Sequence, residues 1–270
     1  MRCFRNGKEV SDIHVLDRAF HYGDGCFTTA RIRNGLIEMQ QRHFTRLGDS
    51  CSRLALKADL KHITQTLELL AQTQESVTGT LKILISRGQG QRGYSLPDHP
   101  ADVWVYYYPA QMLEFTHDSM TTGVLKQSLG LSMPALVGLK SLNRLEQVML
   151  KTEADLHGWQ EALVTDVQGA VVEGVSSNCF MRINDTWITP ELRYNGVHGV
   201  MRAEILERMQ QSSIVCEQRY VDMDEIRQIQ SLFFCNALHP MKIAAELNQR
   251  QLEVQPCIDL FNVLQLNQIH

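Results

Sequence analysis

Asn34-Gly35 stands between two strand-like runs, residues 26–33 (CFTTARIR) and 36–39 (LIEM), and it constrains the chain more than any other short feature. Asn and Gly tolerate the positive φ that a type I′ turn needs at both central positions, and that turn matches the twist of antiparallel strands. The chain is committed early to an antiparallel hairpin. A helical segment follows, in which Phe44, Leu47, Cys51 and Leu54 are spaced for one face. Residues 81–85 (LKILI) and 103–108 (VWVYYY) are rich in β-branched or aromatic side chains and read as strands. Between them, residues 86–95 (SRGQGQRGYS) carry three glycines and two arginines and read as a loop.

The second half repeats this mixture. Residues 123–131 look strand-like, and a loop through Pro134 and Gly138 leads to Lys140. Leu142, Leu145, Met149 and Leu156 recur at helical steps, which predicts a helix over 141–157, started by Ser141 and ended by Gly158. Two hairpins are expected, 162–164 with 170–172 and 179–183 with 186–188. Helices are expected at 200–211 and 222–229, the latter opened by Asp222 and Glu225 at capping-box spacing, and a short strand at 232–235. Residues 109–122 lack a clear period and are expected to cross between two domains. The expected class is α+β, with sheets in two lobes. A smaller N-terminal α/β domain would span 1–110, a linker 111–122, and a larger C-terminal domain 123–270.

Composition narrows the function. A 270-residue chain with net charge −4 and no basic block is a poor partner for nucleic acid or an anionic membrane. No apolar run approaches the roughly 20 residues that span a bilayer. The first residues lack the long apolar stretch of a secretory signal. Seven scattered cysteines without a CxxC pair argue against a disulfide framework and a thiolate zinc site, and no HxxxH or HExxH occurs, so no metal is expected. Reduced cysteines fit a cytoplasmic protein.

Four local features could carry chemistry. Gly196 to Arg202 (GVHGVMR) is a glycine turn opening a helix, where unpaired backbone N–H groups bind phosphate readily; it could equally be an ordinary turn. Glu173 ends an apolar run and could pair with a protonated ring nitrogen of a cofactor, or sit at a solvated turn. Lys140 follows apolar residues and a glycine; partial desolvation would free its amine for Schiff-base chemistry, while the bland alternative is a surface lysine. Arg46 could be a phosphate fork or a solvated helix charge.

The order and flanks of these residues resemble the fold-type IV pyridoxal-5′-phosphate (PLP) enzymes, from Asp17-Arg18 to about Met241. That family includes branched-chain aminotransferases, D-amino acid aminotransferases and aminodeoxychorismate lyases. The strings that carry the resemblance are 22–31 (YGDGCFTTAR), 86–95, 139–147 (LKSLNRLEQ) and 235–238 (CNAL), the one through Lys140 being the most specific. Within the family they resemble the lyases. The aminotransferases usually have Glu at the position of Thr28, and Thr or Ser in place of Cys235-Asn236.

The resemblance implies a two-domain, D-amino acid aminotransferase-like fold, PLP in the cleft between the domains, and a homodimer. It implies Lys140 as Schiff-base lysine and general base, and Glu173 as partner of the pyridine nitrogen. Arg46, the backbone N–H groups of Val200 and Met201, and the Asn236 side chain would hold the phosphate. Arg92 would grip a substrate carboxylate. Thr28 would face the cofactor and assist, with Thr29 on the opposite side of the strand. The implied reaction converts 4-amino-4-deoxychorismate to 4-aminobenzoate, a folate precursor, and pyruvate. The alternative is a D-amino acid or branched-chain aminotransferase on the same fold. A non-catalytic PLP carrier or interaction module is the reading from another class.

Overall fold

Asn34 and Gly35 have φ of 50° and 82°, as a type I′ turn requires, in a computed structural model that describes every residue except Glu75, 112–114, Thr116 and His270. The chain divides into two compact units, Met1–Leu113 with Leu139–Asn143, and Glu114–Gly138 with Arg144–Ile269. No helix among the described residues is long and apolar enough to cross a membrane.

The first unit holds strands β1 (Arg2–Arg5), β2 (Lys8–Glu9), β3 (Gly25–Arg33), β4 (Leu36–Ile37), β5 (Gly79–Ser86) and β6 (Asp102–Pro109), with helices α1 (Arg18–Tyr22), α2 (Gln40–Arg53) and α3 (Lys61–Thr73). The strands form one antiparallel sheet, ordered β2-β1-β6-β5-β3-β4. The Asn-Gly hairpin pairs Ile32 with Ile37. One sheet face supplies Cys26, Ala30 and Ile32 of β3, Leu81, Ile83 and Ile85 of β5, and Val103 and Val105 of β6 to the core. Leu47 and Cys51 of α2 and Ile63 and Leu70 of α3 belong to the same cluster. Side chains alternate along a strand, so Phe27, Thr29 and Arg31 leave from the opposite face.

The second unit holds β7 (Ser119–Thr122), β8 (Leu163–Thr165), β9 (Val171–Gly174), β10 (Asn178–Ile183), β11 (Thr186–Pro190), β12 (Cys216–Arg219), β13 (Ser231–Asn236), β14 (His239–Leu247) and β15 (Arg250–Gln251). Its helices are α4 (Leu145–Leu156), α5 (Val200–Gln211) and α6 (Gln255–Val263). Strands β12-β11-β10-β13-β14-β15 form a sheet in that order, with β7 alongside β14, while β8 and β9 form a separate hairpin. Both hairpins expected here form, and the second turns through Asn184 and Asp185 at φ 47° and 61°.

Four expectations change. Residues 119–122, placed in the linker, form β7 parallel to β14, since the open side of that strand still has backbone groups to satisfy; 112–114 and Thr116 of that linker lie outside the described residues. Residues 123–131 form no strand; only isolated bridges tie Val124 to Leu163 and Leu129 to Asp166. The helix expected from 141 starts at Leu145, because Ser141 instead bridges Cys26 of β3. The same pairing places Leu139–Asn143 with the first unit. The capping box at Asp222 and Glu225 forms, but opens a 3-10 turn, Met223–Gln228, and not an α-helix.

Candidate active site

Strand β4 covers the edge of β3 only at Ile32 and Arg33. At the other end, residues 140–142 dock as an added antiparallel strand. The Phe27 N–H donates to the Lys140 carbonyl (2.9 Å) and the Leu142 N–H to that of Gly25 (3.0 Å). Gly25 is required here: an added Cβ would lie 2.1 Å from the Ile85 carbonyl oxygen and 2.8 Å from Leu142. With Cys26 opposite Ser141, Lys140 projects on the Phe27 side, and its Nζ sits 4.8 Å from the centre of the Phe27 ring. The lysine is half-buried and fixed by backbone, not carried on a solvated helix.

This register corrects the expectation for Thr28. It is fully buried in line with Cys26, Ala30 and Ile32, under α2, while the half-buried Thr29 shares the face of Phe27 and Lys140. The Thr28 hydroxyl accepts a hydrogen bond from Arg46 Nη2 and lies 2.6 Å from His43 Nδ1. Arginine can only donate, so the threonine proton goes to the histidine. Burial, reinforced by the Arg46 charge, pushes His43 down to about 3, and the ring stays neutral. Burial also lowers Arg46 to about 10. Its buried Nε has no hydrogen-bond partner among the described residues.

Sequence reasoning missed Lys82. It pairs across from Thr29 on β5, and its Nζ is 5.1 Å from the Phe27 ring centre. Two cations therefore flank one ring on the Thr29 face. The signal was present, since in the LKILI run the lysine alternates with Leu81 and Ile83, but a strand lysine usually means a solvated edge. Arg92 is exposed on the 86–95 loop. Arg87 is structural, donating to Asp24 (2.8 Å) and to the carbonyls of Leu54 and Ala55 (2.7 and 3.0 Å).

In the second unit Glu173 is buried on β9. Its Oε2 accepts from Asn178 Nδ2 and from the Val197 N–H, both at 3.0 Å. Burial pulls the nearby Arg144 guanidinium down while the Glu173 charge works against it. Asn178 also donates to the Val197 carbonyl (2.9 Å), so it links Glu173 to the glycine turn. A Cβ at Gly199 would lie 2.0 Å from Asn178 Oδ1, which explains the glycine before α5. That helix begins with buried Val200 and Met201 and without a side-chain cap. Asn178, which sequence reasoning also missed, thus ties the carboxylate to the helix start. Asn236, expected at the phosphate, has a structural contact of its own. Its Oδ1 accepts from the Leu238 and His239 N–H groups at 3.0 Å, so it caps the β13–β14 turn, and its Nδ2 lies 3.5 Å from the Ser176 carbonyl. Glu161 secures the turn before Asn178, accepting from the Ser176 N–H (3.1 Å), the Ser176 hydroxyl (2.8 Å) and the Ser177 hydroxyl.

Each unit, taken by itself, carries groups whose chemistry fits PLP. The uncapped start of α5 offers donors to a phosphate. The unpartnered Arg46 Nε is a further buried donor suited to an anion. Glu173 is a buried carboxylate suited to a protonated ring nitrogen, and Lys140 supplies an amine.

The profile of the amino-transferase class IV family matches residues 25–246, and the chain belongs to that family. Its enzymes depend on PLP, which is the cofactor of this chain. An aminodeoxychorismate lyase of Vibrio harveyi is 31% identical over 236 residues, 86% of each chain. The crystal structure of 4-amino-4-deoxychorismate lyase from Pseudomonas aeruginosa aligns with a TM-score of 0.85 and 30% identity, over 96% of this chain and 98% of that one. A hypothetical aminotransferase from Mycobacterium tuberculosis, in a PLP-bound form, has the same fold with a TM-score of 0.82 at 20% identity, over 99% and 98% of the two chains.

Proposed function

We propose that this chain is a PLP-dependent lyase that converts 4-amino-4-deoxychorismate to 4-aminobenzoate and pyruvate. The observation that carries the proposal is the pinning of Lys140 on the edge of β3, its amine beside Phe27 and on the face of Thr29 and Lys82. The likeness to the two lyases favours elimination over transamination.

Bound PLP supplies an electron sink for the charge left when a proton leaves the carbon that bears the substrate nitrogen. Lys140 is the amine that anchors the cofactor and then removes that proton. The C–O bond on the neighbouring carbon breaks, enolpyruvate departs, and the ring becomes aromatic. Enolpyruvate gains a proton on its methylene carbon to give pyruvate. Thr29, on the Lys140 face, takes the assisting role first expected of Thr28; Thr28 serves by orienting Arg46. Arg46 and the Val200 and Met201 N–H groups would hold the phosphate, and Glu173 the ring nitrogen. Arg92 and Lys82 would meet the substrate carboxylates.

The test is a spectrum of the purified protein before and after borohydride, with peptide mapping. A stable reduced adduct on the Lys140 peptide is expected, and an adduct elsewhere removes the proposal. Pyruvate release from 4-amino-4-deoxychorismate should far exceed the rate at which an amino-acid donor converts PLP to pyridoxamine phosphate. The reverse ratio would make the chain an aminotransferase.

A further inference from the structure

We propose that Arg18 is a positioning residue for Arg92, locking the backbone beside it so that the exposed guanidinium meets a substrate carboxylate. This rests on the reading of Arg92 given above. Arg18 is buried in α1, only 4% exposed. Its Nη1 donates to the carbonyl of Gly93, the residue after Arg92, at 2.8 Å. The N–H of the same glycine donates to the Tyr22 hydroxyl at 3.1 Å. The Arg18 guanidinium lies over the Tyr22 ring, 4.8 Å from its centre. Two side chains one turn apart on a single helix thus hold both polar groups of Gly93.

The loop also closes around the stem of Arg18. A Cβ at Gly90 would come within 2.7 Å of Arg18 Cδ. The Arg18 N–H donates to the Gly88 carbonyl at 2.8 Å, and the Gly90 N–H to the Leu16 carbonyl at 3.2 Å. Arg18 is itself anchored: its Nε donates to Asp24 Oδ2 at 2.8 Å, and the same oxygen accepts from Arg87 Nε at 2.8 Å. Burial opposes ionisation of Asp24, but the hydrogen bonds from Arg87 and Arg18 hold its carboxyl below the usual range. The chain of contacts runs from the end of α2 through Arg87, Asp24 and Arg18 to Gly93. An exposed arginine on a glycine-rich loop would otherwise lose conformational freedom on meeting its ligand, and a fixed backbone reduces that loss.

The experiment uses the PLP-loaded protein, with 4-amino-4-deoxychorismate as substrate and the variants Arg18→Lys, Arg18→Met, Arg92→Met and the double variant R18M/R92M. Both Arg18 variants are expected to raise KM about tenfold with kcat within about twofold, the signature of lost uniform binding. In the Arg92→Met background, Arg18→Met should add nothing, because the group it positions is gone. Amide exchange in residues 88–95 should accelerate in the Arg18 variants and stay unchanged in Arg92→Met. Lysine keeps the charge on Asp24 but lacks the fork that also reaches Gly93, so Arg18→Lys decides the matter if Arg18→Met fails to fold. An unchanged KM in Arg18→Lys beside a raised KM in Arg92→Met overturns the proposal alone. So does full additivity in the double variant. An unchanged KM in Arg92→Met removes the Arg92 reading, and the role of Arg18 with it.

Discussion

The Thr28 hydroxyl and the His43 Nδ1 atom lie 2.6 Å apart beneath α2, and Arg46 donates to the same hydroxyl oxygen. Thr28 and His43 are fully buried there and Arg46 is half-buried, on the sheet face opposite the one that Phe27 and Lys140 share. In the proposed function this contact orients the Arg46 guanidinium.

The two neighbouring threonines should therefore separate. Thr28→Val leaves Arg46 and His43 without their partner, which costs about 1–3 kcal/mol of stability and loosens the hold on cofactor phosphate. Its kcat at saturating PLP should stay within a few-fold. Thr29→Val should leave stability within about 0.5 kcal/mol and lower the rate of pyruvate release about a hundredfold. Urea unfolding and a pyruvate assay measure both. A greater loss of kcat in Thr28→Val than in Thr29→Val would return the assisting role to Thr28.

His43 also sets a pH dependence. Its pKa falls to about 3 in the fold from an ordinary value of 6.5, because the neutral ring is buried. The unfolded chain binds the extra proton first, so the stability is present in full above about pH 6.5 and is lost progressively down to about pH 3. Between pH 6.5 and 5 this one group should cost about 2 kcal/mol. Urea titrations at the two pH values, on wild type and His43→Gln, check it. Equal slopes in both proteins would contradict the assignment.

Asn178 joins Glu173 to the turn before α5, and its removal should act on cofactor binding. Asn178→Ala leaves the Val197 carbonyl and one bond to a buried carboxylate unsatisfied, which should cost about 1–3 kcal/mol of stability. PLP affinity should fall about tenfold, as for loss of a group that orients a ligand-binding residue. Asn178→Asp, which sets a second negative charge 3.0 Å from Glu173, should be worse than Ala. Absorbance titration of the apoprotein with PLP reads the effect. An affinity within twofold of wild type would reduce Asn178 to a packing residue.

Much of this molecule is legible in its sequence. The Asn34-Gly35 hairpin, α5 at 200–211 and the 179–188 hairpin rest on local backbone preference, which a few residues encode by themselves. The side chains at 81–85 and 103–108 specify strands, which extend to Gly79–Ser86 and Asp102–Pro109 in the fold. The helix start at 145 was not legible. Leu142 falls on the same helical period as Leu145 and Met149, yet its N–H is taken by the Gly25 carbonyl, 117 positions earlier in the chain. Asn178 and Lys82 are not legible either, because their meaning depends on neighbours distant in sequence.

By itself the sequence determined which chemical groups exist: an amine after a glycine, a carboxylate at the end of an apolar run, and a glycine turn before a helix. Local propensity and period carry that information, and they do not depend on what packs against them. Only the tertiary structure decided which way those groups face. Thr28 and Thr29 are identical in type, so no local pattern distinguishes them. The distinction arises when Cys26, Ala30 and Ile32 are buried under α2, which turns every second residue of β3 inward and leaves Thr29 with Phe27 and Lys140 on the other side.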